Sequence, residues 1–343
     1  MKIWISALIL PLTLIASLSA ATNENEVKSY LLKTITTMEA SSKDLVVQAQ
    51  RYDALIQKSH GNYEEAWKND SKAIQVVVEA MREDYKKTDS FGYETIEGIV
   101  AGVPSLEQYD TVLDAGVPKA PGVENIAPVT LHLSNGQVID QEGCLFTYLM
   151  EPMLWGANVK WVHPLDLNHD GKITSRESLP KTEAMLAVAQ ETALQVQNLR
   201  KASEAWTPTT DDLFGAMTKM TPTLSEYFED WKESRYSDQE SGKFSAVSRI
   251  SDMKGIMKSC QIMFEAVKGS VEKKDPSLAK AVHSGFDSIF EFLKNIEKDE
   301  AAKKKFSSAQ IDELATQAKR HTDQLVPQIE QAWSLTKTTK KKG

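Results

Sequence analysis

The sequence predicts an all-α protein with two up-and-down helical bundle halves and an irregular central insertion that carries one EF-hand-type calcium loop. Three observations lead to this prediction. Apolar residues recur at spacings of three and four in the first and last thirds of the chain, which is typical of amphipathic helices. Residues 102–143 interrupt this pattern with four prolines and an Asn-Gly turn. The stretch DLNHDGKITSRE, residues 166–177, has the residue spacing of a calcium-binding loop.

Residues 1–21 are predicted to form a secretory signal peptide. Lys2 precedes an apolar run that extends to Leu18, and Ser19 and Ala21 supply the small residues of a cleavage site. We therefore expect cleavage after Ala21 and export to the periplasm or the medium. No later apolar run is long enough to span a bilayer, so the mature chain is not expected to be embedded in a membrane.

The net charge and the cysteine content limit what the chain can bind and how it can be cross-linked. The formal net charge is −8, which argues against nucleic-acid binding. Two cysteines, Cys144 and Cys260, could form one disulfide after export or remain free thiols, and the sequence leaves both alternatives open.

The N-terminal half, residues 22–116, is predicted to contain three helices. The first helix is indicated by one long apolar stripe, which comprises Val27, Leu31, Ile35, Met38, Leu45, Val46, Ala49, Tyr52 and Ile56. A second helix is predicted over residues 63–86 and a third over residues 93–100.

The central segment, residues 117–180, is predicted to be irregular. Within it, VTLHLSNGQVI places an Asn-Gly turn between apolar residues, which predicts a small hairpin. The C-terminal half, residues 181–336, returns to helical spacing, and residues 337–343 form a short basic tail. Its helices are predicted over residues 181–205, 224–235, 244–273, 276–298 and 308–336, the last with a cap at Ser307 or Ser308.

The loop DLNHDGKITSRE fills every position of the EF-hand pattern. Gly171 stands at the sixth position, where the chain must turn sharply. Pro164 and Pro180 flank the loop closely, and proline is poorly tolerated inside the helices that flank a sensor loop. We therefore predict a fixed structural calcium ion. Its expected ligands are Asp166, Asn168, Asp170, the backbone carbonyl of Lys172, Thr174 and a bidentate Glu177.

A second candidate site lies in the stretch FGYETIEGIVAGVPSLEQYDTVLDAG. Glu94 and Glu97 are three residues apart, so on a helix their carboxylates share a face and repel unless a cation, a proton or a base lies between them. Asp110 and Asp114 could fold back toward this pair, and Glu83 could face it from the preceding helix. Helical bundles build metal sites from such convergent carboxylates. The predicted ligands are Glu94, Glu97, Asp110 and Glu83; the alternative is a solvated surface pair.

The stretch YETIEGIVAG resembles the signature of the imelysin family, to which the EfeO-type periplasmic iron-uptake proteins belong. That signature has a histidine, two residues and a glutamate, followed by apolar residues and a glycine. Ile96, Glu97 and Gly102 keep this frame, and Glu94 stands where the family has its histidine. The late stretch around DPSLAKAV is also similar to the helices of the family. The calcium loop resembles an insertion between its two halves.

The resemblance implies an exported protein of two bundle halves with a metal site in a cleft at the motif. It also implies iron as the ion bound for uptake, with an inner-membrane iron permease and a periplasmic peroxidase as partners. Because Glu94 replaces the histidine, the donor set favours hard ions such as ferric iron, manganese or calcium over zinc.

Two alternative functions stay open. One is a metallopeptidase of the imelysin type. The chain has no HExxH motif, however, and no catalytic residue is predicted. We therefore expect no hydrolysis of peptides. The other is a scaffold that binds a polysaccharide or an anion, because six tryptophans are spread through the mature chain. Packing in the core is the competing use of these tryptophans.

Overall fold

The chain is mainly helical, and its four strands are only three or four residues long, so the predicted all-α class is confirmed. Residues 1–12 of the predicted signal peptide and residues 338–343 of the predicted tail lie outside the described residues. The computed structural model describes residues 13–114, 129–133, 135–141, 143–157, 160–174, 177–238 and 245–337.

The first group of helices comprises α1 (Thr13–Gln57), α2 (Tyr63–Thr88) and α6 (Thr182–Ala205), with α1 packed against both others. Asn62 caps α2 by accepting a hydrogen bond from the Glu65 N–H at 2.9 Å. The apolar stripe predicted for α1 faces the core. Its members are fully buried except Val46, which is partly buried.

The segment after α2 differs from its prediction. A helix was expected over residues 93–100, but the structure has a 3₁₀ turn, Tyr93–Thr95, followed by the short helix α3 (Glu97–Val100). Ile96 separates the two because its φ of −120° and ψ of −3° lie outside the helical range. Helix α4 (Glu107–Leu113) follows after a turn.

The central segment contains two small antiparallel pairs. Strands β1 (Val129–His132) and β2 (Val138–Gln141) form the predicted hairpin around its Asn-Gly turn. A π-helical turn, Leu145–Met150, leads into α5 (Glu151–Leu154).

Strands β3 (Val162–Pro164) and β4 (Ser178–Pro180) then pair across the two ends of the predicted calcium loop. The loop is therefore flanked by short strands, as its prolines predict.

The second group comprises α7 (Thr210–Met220), α8 (Tyr227–Trp231), α9 (Arg249–Glu272), α10 (Pro276–Ala301) and α11 (Ser308–Thr336). The predicted cap of α11 is confirmed, because Ser307 and Gln310 form a reciprocal capping box. Helix α9 begins five residues later than predicted, where Ser248 caps it. It packs on α10 and also on α1, α3 and the 3₁₀ turn, so it connects the two groups.

The cysteines and most of the tryptophans of the mature chain lie in the core. Cys144 and Cys260 are both buried, and no disulfide joins them. The tryptophans Trp67, Trp161, Trp206 and Trp231 are buried, which supports their use in packing over the stacking of sugars. Among the described residues, no helix combines the length and the apolar composition needed to cross a membrane.

Candidate metal centre

Three buried carboxylates meet where α2, the 3₁₀ turn and α4 come together. Asp89, Glu94 and Asp114, called the trio below, place carboxylate oxygens within 4.8 Å of one another. Their exposed fractions are 4%, 1% and 8%. Carboxylates at this spacing repel strongly in a water-poor interior, so the arrangement requires protons or a cation between them.

Local backbone structure brings the trio together. The Asp89 N–H closes α2 with a 2.8 Å bond to Tyr85, and the Glu94 N–H bonds the Asp89 carbonyl at 3.1 Å. Gly92 makes this tight return possible, because a Cβ atom there would lie 2.4 Å from the Thr88 carbonyl oxygen. Asp114 ends α4, where its N–H bonds the carbonyl of Asp110 at 2.8 Å.

Each member of the trio has one buried oxygen with no hydrogen-bond partner. These atoms are Oδ1 of Asp89, Oε2 of Glu94 and Oδ1 of Asp114. Buried polar atoms in folded proteins are nearly always bonded, and an unbonded acceptor costs free energy. The three carboxylates lie within reach of one another and each has an unbonded acceptor, so together they can supply part of the ligand set of a metal cation.

A buried arginine lies beside the trio. Arg249, at the start of α9, donates from Nη1 to Glu94 Oε1 at 3.2 Å and to Asp252 Oδ2 at 3.1 Å. Its Nη2 donates to Asp230 Oδ2 at 3.3 Å, and its guanidinium lies 4.8 Å from the ring centre of Tyr227. Arg249 therefore ties the 3₁₀ turn to α8 and α9.

The single positive charge of Arg249 is smaller than the negative charge that the surrounding carboxyl groups would carry if all were ionised. Six buried carboxyl groups interact with it electrostatically: Asp89, Glu94, Glu97, Asp114, Glu151 and Asp252. One guanidinium cannot balance six carboxylates, so the remainder must bind protons or other cations.

The pKa values of these carboxyl groups reflect the imbalance. Burial, with a contribution from Asp252, raises the pKa of Asp89 to about 8. Burial also raises the pKa of Glu97 and of Glu151 to about 7. For Glu94 and Asp114, burial and neighbouring carboxylates move the pKa well above its ordinary value. Protons therefore occupy much of the cluster at neutral pH when no metal is bound.

The structure brings together some of the residues predicted as ligands. Glu94 belongs to the trio. Glu97 is buried nearby, and its Oε1 accepts a 2.5 Å hydrogen bond from the Tyr227 hydroxyl. Asp110 lies beside this cluster and accepts a 2.6 Å bond from the Tyr93 hydroxyl, which leaves it outside the trio.

Glu83 does not join the cluster. Its side chain is 51% exposed and pairs with Lys86 at 2.7 Å on the outer face of α2. The helical register explains this placement, because residues one and two positions apart face different directions. Asp84, the next residue, is the buried one.

Sequence reasoning missed Asp89, Glu151 and the Arg249–Asp252 pair. Asp89 had a usable signal, since it stands three residues after the second predicted helix and five residues before Glu94. Arg249 and Asp252 have the i, i+3 spacing of an ion pair on a helix. Nothing local distinguishes Glu151, which lies beyond the hairpin.

Side-chain oxygens of the predicted calcium loop accept hydrogen bonds from backbone N–H groups of the same loop. The N–H of Gly171 bonds Asp166 Oδ2 at 2.9 Å, and the N–H of Asp170 bonds Asn168 Oδ1 at 2.8 Å. Gly171 has a φ of +82°, as the sharp turn predicts. Glu177 Oε2 accepts from the Thr174 N–H at 2.8 Å, while its Oε1 is buried without a partner.

Comparison with known protein families relates the chain to a family model. The family model described as imelysin matches residues 148–330, which is more than half of the chain. No curated protein matches the chain. The matched region includes Glu151, Arg249 and Asp252, whereas the trio lies before it.

Proposed function

The chain belongs to the imelysin family, and we propose that it binds a hard metal cation at Asp89, Glu94 and Asp114. The observation that carries this proposal is the set of three unbonded, buried oxygens, one from each carboxylate of the trio. A cation between them would satisfy all three acceptors and remove the repulsion among their charges.

The donor chemistry limits which ions fit. All three donors are carboxylate oxygens, which suit ferric iron, manganese or calcium better than zinc. The metallopeptidase alternative is not favoured, because histidine is the usual ligand of a catalytic zinc, and the resemblance of residues 93–102 to the family signature puts Glu94 where that signature has a histidine.

Iron is the proposed cargo. The predicted signal peptide and the resemblance to the EfeO-type proteins support a role in the periplasm, where the protein would take up iron for an inner-membrane permease with a peroxidase as a further partner. In this role the chain needs to bind and release the ion, and it needs no catalytic residue.

Manganese binding tests the proposed site. Chelator-treated protein should bind Mn²⁺ in calorimetry, and Glu94→Gln should weaken binding by about a hundredfold, because it removes a charged ligand oxygen from the first coordination sphere (a second-sphere change already costs about 10–100-fold). Glu83→Gln is the matched control, since Glu83 is an exposed glutamate on the neighbouring helix. Equal affinity of the two variants for Mn²⁺ would refute the site.

A separate calcium ion is proposed at residues 166–177. The full ligand pattern, the turn at Gly171 and the unbonded buried Oε1 of Glu177 support it. The Leu165 N–H bonds the Glu177 carbonyl at 2.9 Å, so an ion here would join both ends of the loop. We propose that this ion stabilises the fold and does not take part in uptake.

Calcium should therefore raise the melting temperature of the protein. An ion that binds only the folded chain stabilises it by about 2.7 kcal/mol at a hundredfold excess over its dissociation constant. Glu177→Gln should lower this increase to whatever calcium at the trio contributes, whereas Glu330→Gln, a change at an exposed glutamate of α11, should leave the increase unchanged. The structural role would be wrong if the melting temperature of Glu177→Gln rose with calcium as much as that of Glu330→Gln.

A further inference from the structure

We infer that the protein holds a second hard cation in a small buried cavity beside the trio, with Asp89 shared between the two ions. This inference rests on the proposed function, because the first ion occupies the trio. It adds a site that the motif around Glu94 and Glu97 does not contain.

The cavity lies between the end of α2, the segment that leads into α5, and the start of α9. Asp89, Glu151, Asp252 and Arg249 line it, together with Tyr85 and Thr147. Its space is about that of one water molecule, which suits a dehydrated ion held directly by protein oxygens. Asp89 therefore faces both the trio and this cavity.

Two of the lining carboxylates have an unused acceptor. Asp252 is 5% exposed; its Oδ2 accepts from Arg249 at 3.1 Å, while its Oδ1 has no hydrogen-bond partner. Asp89 is 4% exposed, and its unbonded Oδ1 is the atom already assigned to the trio, so this oxygen would be shared by the two ions. Such buried acceptors around a cavity indicate a ligand that supplies positive charge or protons.

Glu151 completes the cavity wall and is held rigidly. Its Oε1 accepts the backbone N–H groups of Ser245 and Ala246 at 2.5 and 2.7 Å. The π-helical turn Leu145–Met150 ends immediately before this residue, and π-helical turns are frequent at functional sites. Glu151 is therefore preorganised as a third carboxylate for the cavity.

The charge balance leaves room for a second ion, because a cation can replace the protons that the raised carboxyl pKa values retain in the metal-free cluster. Arg249 and one divalent ion in the trio together supply three positive charges for six buried carboxylates. A second divalent ion in the cavity would supply most of the remainder. Because Arg249 also lines the cavity, we expect the second ion to bind more weakly than the first.

The stoichiometry of Mn²⁺ binding tests this inference. All proteins would carry Glu177→Gln, so that the calcium loop does not contribute. In this background the parent should bind two Mn²⁺ per chain, the second more weakly. Because Asp89 bridges the ions, electron paramagnetic resonance should show a spin-coupled pair. Asp252→Asn and Glu151→Gln should each bind one Mn²⁺ with the spectrum of an isolated ion.

Asp287→Asn is the matched control, because Asp287 is an exposed aspartate on α10 and should leave two ions bound. A parent that binds one Mn²⁺, lost on Glu94→Gln, would overturn the second site and leave the proposed function intact. Two ions retained in both Asp252→Asn and Glu151→Gln would also overturn it. A parent that binds no Mn²⁺ would refute both proposals.

Discussion

Replacement of Arg249 with methionine is expected to lower the free energy of unfolding of the metal-free protein by about 3–5 kcal/mol at pH 8. The Arg249 side chain is 7% exposed and pairs with Glu94, Asp252 and Asp230. Methionine fills similar space without the charge, so these carboxylates would lose the cation that balances them. Urea denaturation in the presence of a chelator measures the change.

The loss should depend on pH in a defined direction. A carboxyl group whose pKa is higher in the folded chain contributes stability that is complete below its unfolded pKa and is lost as pH rises through its folded pKa. For Glu151, at about 7, and Asp89, at about 8, this window runs from about pH 4 to about pH 8. Arg249 lowers the pKa of both groups, so without it the loss of stability should continue to a higher pH. The effect of Arg249→Met should therefore be smaller at pH 5 than at pH 8.

Arg200 provides a matched control for this prediction. It also pairs with two carboxylates, Glu39 at 3.3 Å and Glu204 at 3.1 Å, but its side chain is 29% exposed. Solvent screens such a pair, so Arg200→Met should cost about 1 kcal/mol or less. Equal losses for the two variants, or a loss for Arg249→Met that does not change with pH, would contradict the role given to Arg249.

The sequence predicts the longest helices well because their signals are local, but it does not predict α7, and the helix expected over residues 224–235 is reduced to α8. The apolar stripe of α1, the capping box at Ser307 and the Asn-Gly turn of the hairpin each depend on residues close together in the chain. The flanking prolines also correctly indicated that the calcium loop does not join long helices. In each case the energetics are set within a few residues.

The candidate site was harder to predict because distant segments form it. The spacing of Glu94 and Glu97 suggested one helical face, but Ile96 breaks the helix between them. Asp114 was recognised only as a residue that could fold back. Arg249 and Asp252 reach the site because α9 packs against the 3₁₀ turn, more than 150 residues from Glu94. A single sequence contains no local signal for such a contact.

Gly255→Ala is expected to destabilise the protein by about 3 kcal/mol and to weaken Mn²⁺ binding at the trio. Gly255 lies on α9 directly opposite Glu94. A Cβ atom at Gly255 would lie 2.7 Å from the Glu94 carbonyl oxygen and 3.0 Å from its carbonyl carbon. Both are backbone atoms, so the 3₁₀ turn itself must move, and the carboxylate of Glu94 would move with it. Denaturation and calorimetry report the two effects.

Gly269→Ala is the control on the same helix, because nothing lies within 4 Å of a Cβ atom added there. Alanine is the better helix former, so this variant should be stabilised by about 0.4–1 kcal/mol and should bind Mn²⁺ as the parent does. If Gly255→Ala lowers the stability and Gly269→Ala raises it, the loss at Gly255 is due to its close approach to Glu94 and not to the helix propensity of alanine. If Gly255→Ala were as stable as Gly269→Ala and bound Mn²⁺ equally well, the packing of α9 against the 3₁₀ turn would not be what positions Glu94.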